Sequence, residues 1–591
     1  MDPNLAIVHG SKEPALWSKT LGSFIDEQAT LFGGRPCVVF PWQSVRLSYG
    51  QLADRSKVLA KAMLEMGLRH GDCVGIMAGN CYQYIEVFLG GARIGCPVVV
   101  LNNTYTPGEL QNATGRSGKS RNVQWSATFS DSVEACKLVF IASSIGNRDL
   151  SGHIKALRGN TAQNSVLPEL RRVVCLGNCG HELGGVEIQS YSTFTSNGHS
   201  VFMNDRVLKR AEDAVTPEDV LNLQFTSGTT GSPKAAMLTH NNLLNDARFV
   251  GDAMALTPED VICCPPPLFH CFGLVLGFLA SFTHGSSIVF PSDFFDVQRV
   301  VNAIVDEDAT VLLGVPTMYV SELEVMAKTG QRPRRLRTGL ASGSAVSQGL
   351  MNELRATMGV EKMLIAYGMT ETSPVTFITA LSDSDEKGTT TVGRVVPHTA
   401  AKVIGKDGKI LRRGERGELC TSGFALQKGY FGNKEKTKEV MRRDEDGLLW
   451  MHTGDEALLD KDGYAQITGR IKDMIIRGGE NIFPREIEER VMMHPAISEA
   501  SVVGIKDERY GEVVGCFLKG VEGSSRISEA EVKQWVGQQM GRHKTPQYIF
   551  WIGDAGIGMD FPKTGSGKHQ KHILRDIGNR VVGQSKVKAR L

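Results

Sequence analysis

The sequence predicts an α/β protein with more than one domain, and two observations lead to this prediction. Between residues 17 and 110, runs with helical spacing at 52–64 and 82–94 alternate with short apolar runs typical of strands at 73–77 and 98–101. This alternation indicates strands buried between helices. A chain of 591 residues is also too long for one hydrophobic core. We therefore expect at least two domains and a chain large enough for an enzyme.

The composition argues against several classes of protein. Basic and acidic residues nearly balance, with a formal net charge of +2, so no basic face for nucleic acid is expected. The N-terminus lacks the charged and then apolar pattern of a secretory signal. The most apolar stretch, residues 269–283, is too short to span a bilayer and predicts a buried helix, so no transmembrane segment is expected. The 12 cysteines follow no regular spacing, which favours buried thiols in a reducing compartment over zinc ligands.

A turn rich in hydroxyl groups and glycine follows an alternating run. Leu221, Leu223 and Phe225 alternate with polar residues, as in a strand with one buried face. The glycines after this run allow backbone conformations in which consecutive N–H groups converge on an anion, and a lysine adds positive charge. The residues of this predicted phosphate loop are Thr226, Ser227, Gly228, Thr229, Thr230, Gly231 and Lys234.

This stretch has two other interpretations. An ordinary polar turn is one alternative. The common nucleotide loop is excluded, because Pro233 stands where its second glycine is needed and Ala235 where its magnesium-binding hydroxyl is needed. The order of hydroxyls, glycines, proline and lysine instead resembles the signature loop of the adenylate-forming superfamily. That superfamily includes acyl-CoA synthetases, firefly luciferases and the adenylation domains of peptide synthetases. Ala235 departs from its usual glycine.

Further motifs follow in the superfamily's order, from about residue 17 to 580. Residues 341–345 resemble the turn beside adenine, which implies contacts from Gly343 and Ser344. In residues 366–372 a tyrosine ring can flank a base, and a threonine can donate to a phosphate oxygen. A glutamate in the same motif can hold Mg²⁺, a hard cation that prefers carboxylate oxygen. The residues of this second motif are Tyr367, Gly368, Thr370 and Glu371.

Four single residues complete the candidate site. An aspartate can accept hydrogen bonds from both ribose hydroxyls, and the resemblance implies this role for Asp455. Arg470 would meet the ribose or a phosphate, and His270 matches a residue between the carboxylate pocket and the thiol tunnel. Lys568 matches the lysine that reaches into the site from the last domain. A turn aspartate, a packed histidine and a flexible basic loop are the ordinary alternatives.

The resemblance also implies a domain organisation. It predicts a large multi-sheet N-terminal domain, residues 1–469, and a small mobile α+β C-terminal domain, residues 470–591. Lys472 matches the hinge, and Gly478 and Gly479 would approach the pantetheine of coenzyme A, where a side chain would obstruct it. In the superfamily, rotation about the hinge withdraws the lysine and presents the glycine loop.

The implied reaction activates a fatty or related carboxylic acid with ATP. An acyl-adenylate forms first, and its acyl group then passes to the thiol of coenzyme A, with AMP and pyrophosphate released. The substrates and cofactors implied are the acid, ATP, Mg²⁺ and coenzyme A. The chain looks most similar to medium-chain acyl-CoA synthetases and to fungal ligases of siderophore and toxin pathways. Three alternatives stay open: a stand-alone enzyme that loads a carrier-protein thiol, a luciferase-like oxygenase and a non-catalytic lipid-binding relative.

Two segments and the C-terminus carry separate predictions. Residues 114–133 lack periodicity and predict a surface insertion or a wrongly retained stretch of gene model. Residues 146–168 predict a loop. The last residues, Ala589-Arg590-Leu591, fit the small, basic, leucine pattern that the peroxisomal import receptor reads. We expect a peroxisomal protein, or otherwise a cytoplasmic one.

Overall fold

A computed structural model describes residues 2–116, 136–158, 167, 169–177, 187–199, 204–226, 234–342, 348–521, 523–564 and 568–590. Four sheets of five or more strands and one two-stranded pair, Ser144–Ile145 with Arg148–Asp149, lie within these residues. Helices connect most strands of the two largest sheets. The predicted α/β class is therefore confirmed.

Two mostly parallel sheets carry the first candidate motifs. In spatial order, the seven-stranded sheet contains Glu187–Ser190, Arg172–Cys175, Leu138–Ile141, Val74–Met77, Val98–Val100, Val220–Thr226 and Lys234–Thr239. The nine-stranded sheet contains Arg394–Val395, Val375–Ile378, Lys362–Gly368, Thr338–Ser342, Val311–Gly314, Val261–Cys263, Ser287–Val289, Pro36–Phe40 and Val45–Ser48. In open sheets of this kind, ligands bind at the carboxyl ends of the parallel strands. The candidate motifs after Thr226, Ser342 and Gly368 each begin at such an end.

Two further sheets complete the fold. The six-stranded antiparallel sheet contains Ile7–His9, Thr399–Ile404, Gly417–Gly423, Leu449–Leu459 and Met441–Arg443, with Ala465–Arg470 paired beside Leu449–Leu459. The five-stranded sheet near the C-terminus contains Glu480–Ile482, Ile475–Arg477, Gly511–Gly520 and Ile497–Asp507, with Tyr548–Trp551 paired beside Gly511–Gly520. The strand that ends at Arg470 is the last strand of the first three sheets.

Most helices of the N-terminal part flank the two parallel sheets, whereas Lys434–Val440 contacts the antiparallel sheet. The helices before Arg470 are Leu21–Phe32, Tyr49–Glu65, Tyr82–Arg93, Pro107–Arg116, Ser151–Arg158, Tyr191–Asn197, Asp205–Glu212, His240–Ala253, Ala280–Thr283, Val297–Asp306, Pro316–Thr329, Gln348–Met358, Asp385–Thr390 and Lys434–Val440. The α-helices after Arg470 are Pro484–Met492, Glu529–Gly537 and Lys571–Arg590. Short 3-10 turns occur at Pro41–Gln43, Thr370–Thr372, Ile471–Asp473 and Arg542–Lys544.

The structure corrects three expectations from the sequence. Residues 148–158 are not a loop, because they contain Arg148–Asp149 and the helix Ser151–Arg158. The suspected insertion at 114–133 begins inside the helix Pro107–Arg116, where Thr114 is buried and its hydroxyl donates to the Leu110 carbonyl. Residues 117–133 lie outside the described residues. The apolar stretch 269–283 does form a buried helix, but Phe272–Leu279 is a π-helix.

The cysteine prediction also needs a correction. Ten of the cysteines are buried and form no disulfide, as expected. Cys175 is instead disulfide-bonded, and its partner lies outside the described residues. Among the described residues, no helix is both long and apolar enough to cross a membrane.

The hydrophobic cores separate at residue 470. The clusters that fill the space between the parallel sheets, and the cluster under the antiparallel sheet, contain only residues before Arg470. The two clusters that pack against the five-stranded sheet contain only residues after it. No described cluster crosses this position, so each side buries apolar surface of its own. The predicted boundary between 469 and 470 stays a prediction.

One buried carboxyl group before Arg470 makes no hydrogen bond with any described residue. Glu322, on the helix Pro316–Thr329, is fully buried, and neither carboxyl oxygen makes a hydrogen bond among the described residues. Burial raises its pKa from about 4.5 to about 8. The carboxyl group is therefore protonated in the folded protein near neutral pH, although it ionises in the unfolded chain.

We expect Glu322→Gln to remove part of the pH dependence of stability. Because the folded pKa is the higher one, wild-type stability is full below about pH 4.5 and decreases as the pH rises to about 8. The free energy of unfolding of the glutamine variant, relative to that of wild type, should therefore rise by roughly a few kcal/mol over this pH window. Thermal unfolding at several pH values measures it. Glu324→Gln, on the exposed side of the same helix, is the control. Parallel pH profiles for wild type and Glu322→Gln would contradict the expectation.

Candidate active site

The predicted phosphate loop joins two paired strands. Thr226 ends the strand Val220–Thr226, and its register partner Lys234 begins the antiparallel strand Lys234–Thr239. The sequence did not indicate this second strand. The helix His240–Ala253 follows it. The loop residues Ser227, Gly228, Thr229, Thr230 and Gly231 lie outside the described residues. Because strand pairing holds both ends, Lys234 has a defined position whatever the loop binds.

The motif at 366–372 leaves its strand through a tight turn. The strand Lys362–Gly368 ends at a glycine where an added Cβ would lie 1.8 Å from the Pro374 carbonyl oxygen, so no other residue fits. Thr370 and Glu371 follow in a 3-10 turn. Burial raises the pKa of the Cys271 thiol, and an interaction with Thr370 offsets part of this shift. Gly343 and Ser344, in the predicted adenine turn, lie outside the described residues.

Asp455 connects two sheets. Its Oδ2 accepts a hydrogen bond from the Tyr367 hydroxyl at 2.6 Å, and its Oδ1 lies 3.1 Å from Nε of Arg470. Asp455 and Arg470 are direct partners in the antiparallel sheet, so their side chains lie on the same face. Burial raises the pKa of Tyr367 and the Asp455 carboxylate adds to the shift, so the hydroxyl remains a donor. The paired carboxylate and guanidinium can bind ribose hydroxyls and a phosphate.

Glu418 supports the turn before Asp455. Its carboxylate accepts a hydrogen bond from the Gly454 amide at 3.3 Å and lies 3.0 Å from Nδ1 of His452. Burial would raise the pKa of Glu418, but the interaction with His452 lowers it below its ordinary value. The side-chain ligand atoms of Glu418, Cys420 and His452 lie within 4.8 Å of one another. The hydrogen bonds among them account for this cluster without a metal ion.

Tyr430 lies between two candidate residues that the sequence placed in different motifs. Its hydroxyl donates to Oε1 of Glu371 at 2.6 Å, and Nζ of Lys234 lies 5.0 Å from the centre of its ring. Tyr430 and Glu371 are both buried. Tyr430 is therefore a site residue that the sequence analysis missed. No sequence signal indicated this contact, because the two residues are 59 positions apart.

Lys568 reaches this cleft from the C-terminal part. The surrounding protein lowers its pKa, and Arg470 lowers it further, whereas Asp455 and Glu371 act in the opposite direction. The residue as a whole is exposed, and desolvation by the atoms packed around its ammonium is the main cause of the lowered pKa. The backbone at Lys568 is held by the Thr564 amide, which donates to the Lys568 carbonyl at 2.7 Å.

His270 lies at the same cleft as Lys568. Burial lowers its pKa to about 4, and the nearby Lys568 ammonium contributes to the shift. Its Nδ1 accepts a hydrogen bond from the Phe272 amide at 3.1 Å, which leaves the proton of the neutral ring on Nε2. Gln224 supports the preceding turn, because its amide donates to the Phe269 carbonyl at 2.6 Å.

The predicted hinge and glycine loop lie apart from these contacts. Lys472 is exposed in the 3-10 turn Ile471–Asp473, directly after Arg470. Gly478 and Gly479 form the turn of a hairpin at φ of 57° and 91°, which favours glycine. Within the described residues, the Gly478 amide donates to the Tyr510 carbonyl in the same small sheet, and no hydrogen bond joins this hairpin to the cleft.

Comparison with known proteins agrees with this geometry. The family model of AMP-binding enzymes matches residues 25–431, and that of their C-terminal domain matches residues 486–568. Acyl-CoA ligase SID4 of Ajellomyces capsulatus is 45% identical over 585 residues, which covers 99% of this chain and 95% of that protein. The medium-chain acyl-CoA ligase ACSF2 of Danio rerio is 34% identical over 583 residues, covering 98% and 91%.

A solved structure shows the same architecture. The crystal structure of ATP-bound MatB from Rhodopseudomonas palustris matches with a TM-score of 0.75 and 25% identity, covering 95% of this chain and 100% of that one. The resemblance to adenylate-forming enzymes is confirmed over nearly the whole length. The chain belongs to the AMP-binding enzyme family.

Proposed function

We propose that this protein is an ATP-dependent acyl-CoA ligase that works through an acyl-adenylate. The observation that carries the proposal is the position of Lys568, which lies in the electrostatic environment of Glu371, Asp455 and Arg470 although it belongs to the C-terminal part. A cation in that position can act on a carboxylate and an α-phosphate at once. The whole-length similarity to proteins named acyl-CoA ligases supports the reaction type.

In the first step, a carboxylate oxygen of the acid attacks the α-phosphorus of ATP and pyrophosphate leaves. Two anions must approach, so positioning and charge neutralisation supply most of the catalysis. Lys568 would lie between the two anions, and Lys234 would hold the β and γ phosphates. Asp455 and Arg470 would bind the ribose and an adjacent phosphate, and the neutral His270 would donate from Nε2 to the acid.

Glu371 is suited to hold Mg²⁺. Its carboxylate is buried, and Oε1 accepts the Tyr430 hydrogen bond while Oε2 accepts none among the described residues. A hard cation prefers such an oxygen ligand. When bound, Mg²⁺ supplies positive charge that offsets the negative charge of the phosphates.

In the second step, the thiol of coenzyme A attacks the acyl-adenylate carbonyl, the thioester bond forms and AMP leaves. Rotation at Lys472 would withdraw Lys568 and bring Gly478 and Gly479 to the pantetheine. The positive φ of both glycines suits a loop that a ligand approaches closely. Mobility of the small domain and coenzyme A as co-substrate are parts of this proposal.

A panel of carboxylic acids tests the proposed function. Purified full-length protein is incubated with ATP, Mg²⁺, coenzyme A and short, medium, long or hydroxylated acids, and AMP formation is followed. We expect AMP formation that depends on both an acid and coenzyme A. Medium-chain acids are tested first, because one relative is named a medium-chain acyl-CoA ligase. Acid-dependent pyrophosphate exchange without turnover on free coenzyme A would instead indicate loading of a carrier-protein thiol. Oxygen-dependent turnover would indicate an oxygenase, and no AMP with any acid would indicate a non-catalytic lipid-binding relative.

Lys568→Ala should separate the two half-reactions. We expect acyl-adenylate formation from acid and ATP to fall by about a hundredfold or more, because the variant loses the cation between two anions. Thioester formation from supplied acyl-adenylate should stay close to that of wild type. Lys533→Ala, which removes an exposed lysine paired with Glu529, is the control and should affect neither step. Equal loss of both half-reactions would show that Lys568 serves both steps or is structural.

The C-terminal tripeptide supports a proposed peroxisomal location. Ala589 and Arg590 end the last helix, and Leu591 lies outside the described residues. A fluorescent protein fused to the N-terminus should give puncta that overlap a peroxisomal marker, because the import receptor reads a free C-terminus. Removal of Leu591 should disperse them. A diffuse signal with the tail intact would reject the location. A role in a fungal secondary-metabolite or siderophore pathway is proposed on the earlier resemblance alone.

A further inference from the structure

Tyr430 is the residue through which two separate parts of the candidate site contact each other. Its hydroxyl donates to Oε1 of Glu371 at 2.6 Å, a length typical of a hydrogen bond to a charged carboxylate. Nζ of Lys234 lies 5.0 Å from the centre of its ring, within the range of cation–π attraction. One side chain therefore contacts both the candidate metal ligand and the lysine of the phosphate loop.

The backbone around Tyr430 is fixed against the same two elements. The Phe431 amide donates to the Ala235 carbonyl at 2.8 Å, and the Met237 amide donates to the Gly429 carbonyl at 3.0 Å. The Gln427 amide donates to the Glu371 carbonyl at 2.9 Å. Gly429 has a φ of 138°, and an added Cβ there would lie 2.8 Å from Thr437. The ring therefore has little freedom to move away from either partner.

Tyr430 contacts Glu371 and Lys234 in different ways. Oε1 of Glu371 is occupied by Tyr430, and Oε2 accepts no hydrogen bond from a described residue. Lys234 makes no ion pair with a described carboxylate, and its ammonium lies over the face of the ring whose hydroxyl contacts Glu371. A direct pair between Lys234 and Glu371 would neutralise both groups before the nucleotide arrived. The face of the ring contacts the Lys234 ammonium, and the hydroxyl contacts the Glu371 carboxylate. Each charged group thus has Tyr430 as a partner in place of the other.

We propose that Tyr430 is a positioning residue that orients Glu371 for Mg²⁺ and holds Lys234 apart from it, so that both act on one nucleotide. This inference rests on the proposed function. Mg²⁺ demands near-ideal ligand geometry, so a carboxylate held in one orientation binds it better than a free one.

Binding of ATP to the full-length protein tests the proposal without any acid. Isothermal titration with ATP is carried out in EDTA and at increasing Mg²⁺ for wild type, Tyr430→Phe and Tyr430→Leu. The phenylalanine variant keeps the ring and loses the hydroxyl. We expect its gain in ATP affinity on adding Mg²⁺ to fall about tenfold, with affinity in EDTA unchanged. The leucine variant also loses the ring, so its affinity in EDTA should fall as well.

Tyr49→Phe is the matched control. Tyr49 is as buried as Tyr430, but its hydroxyl donates to the Ser286 backbone carbonyl at 2.7 Å. We expect this variant to keep the wild-type Mg²⁺ dependence. A wild-type Mg²⁺ dependence in folded Tyr430→Phe would overturn the positioning role, even if the variant melts at a lower temperature. Should the leucine variant fail to fold, the smaller phenylalanine change decides alone. Failure of the proposed function would appear separately, as wild type that binds ATP but forms no AMP with any acid.

Discussion

The buried carboxylate of Asp455 is the group on which the nucleotide cleft depends. A buried charge is costly unless it is paired, and Asp455 has two partners from different sheets. Tyr367 belongs to the strand Lys362–Gly368 of the nine-stranded sheet, whereas Arg470 is the register partner of Asp455 in the antiparallel sheet. The need to satisfy this one charge therefore holds two layers together where the base and ribose would bind. Arg470 is also the last residue before the turn that contains Lys472.

The charged groups of the cleft are only partly paired with one another. Asp455 is paired with Arg470, but Glu371 is bonded to a neutral phenol and Lys234 to an aromatic face. Lys568 belongs to the C-terminal part. The positive charge of Arg470 disfavours its ammonium form, whereas the negative charges of Glu371 and Asp455 favour it. Cations that arrive from separate segments can surround a polyanion more completely than cations on one loop. Lys568 thus comes from the part of the chain whose described hydrophobic clusters are separate from those before residue 470.

Local sequence patterns predicted the elements well where one periodicity dominated. The expected runs at 52–64, 73–77, 82–94 and 98–101 became Tyr49–Glu65, Val74–Met77, Tyr82–Arg93 and Val98–Val100. The patterns gave a wrong prediction at Ser151–Arg158. This segment is a helix, although the stretch around it is rich in loop-forming residues. The strand Lys234–Thr239 was missed, because its pairing with Val220–Thr226 depends on a neighbour across the loop. A π-helix at Phe272–Leu279 likewise cannot be told from an α-helix by apolar content.

The sequence by itself determined the family, the order of the motifs and the residue types that could do the chemistry, because each motif is a short local pattern. Only the tertiary structure decided which of these residues meet. Tyr430 and Glu371, Tyr367 and Asp455, and Lys568 and its neighbours are brought together by sheet pairing and packing between distant segments. The chemistry of a residue type is local, but distances and burial, and therefore pKa values, depend on groups far away in the chain.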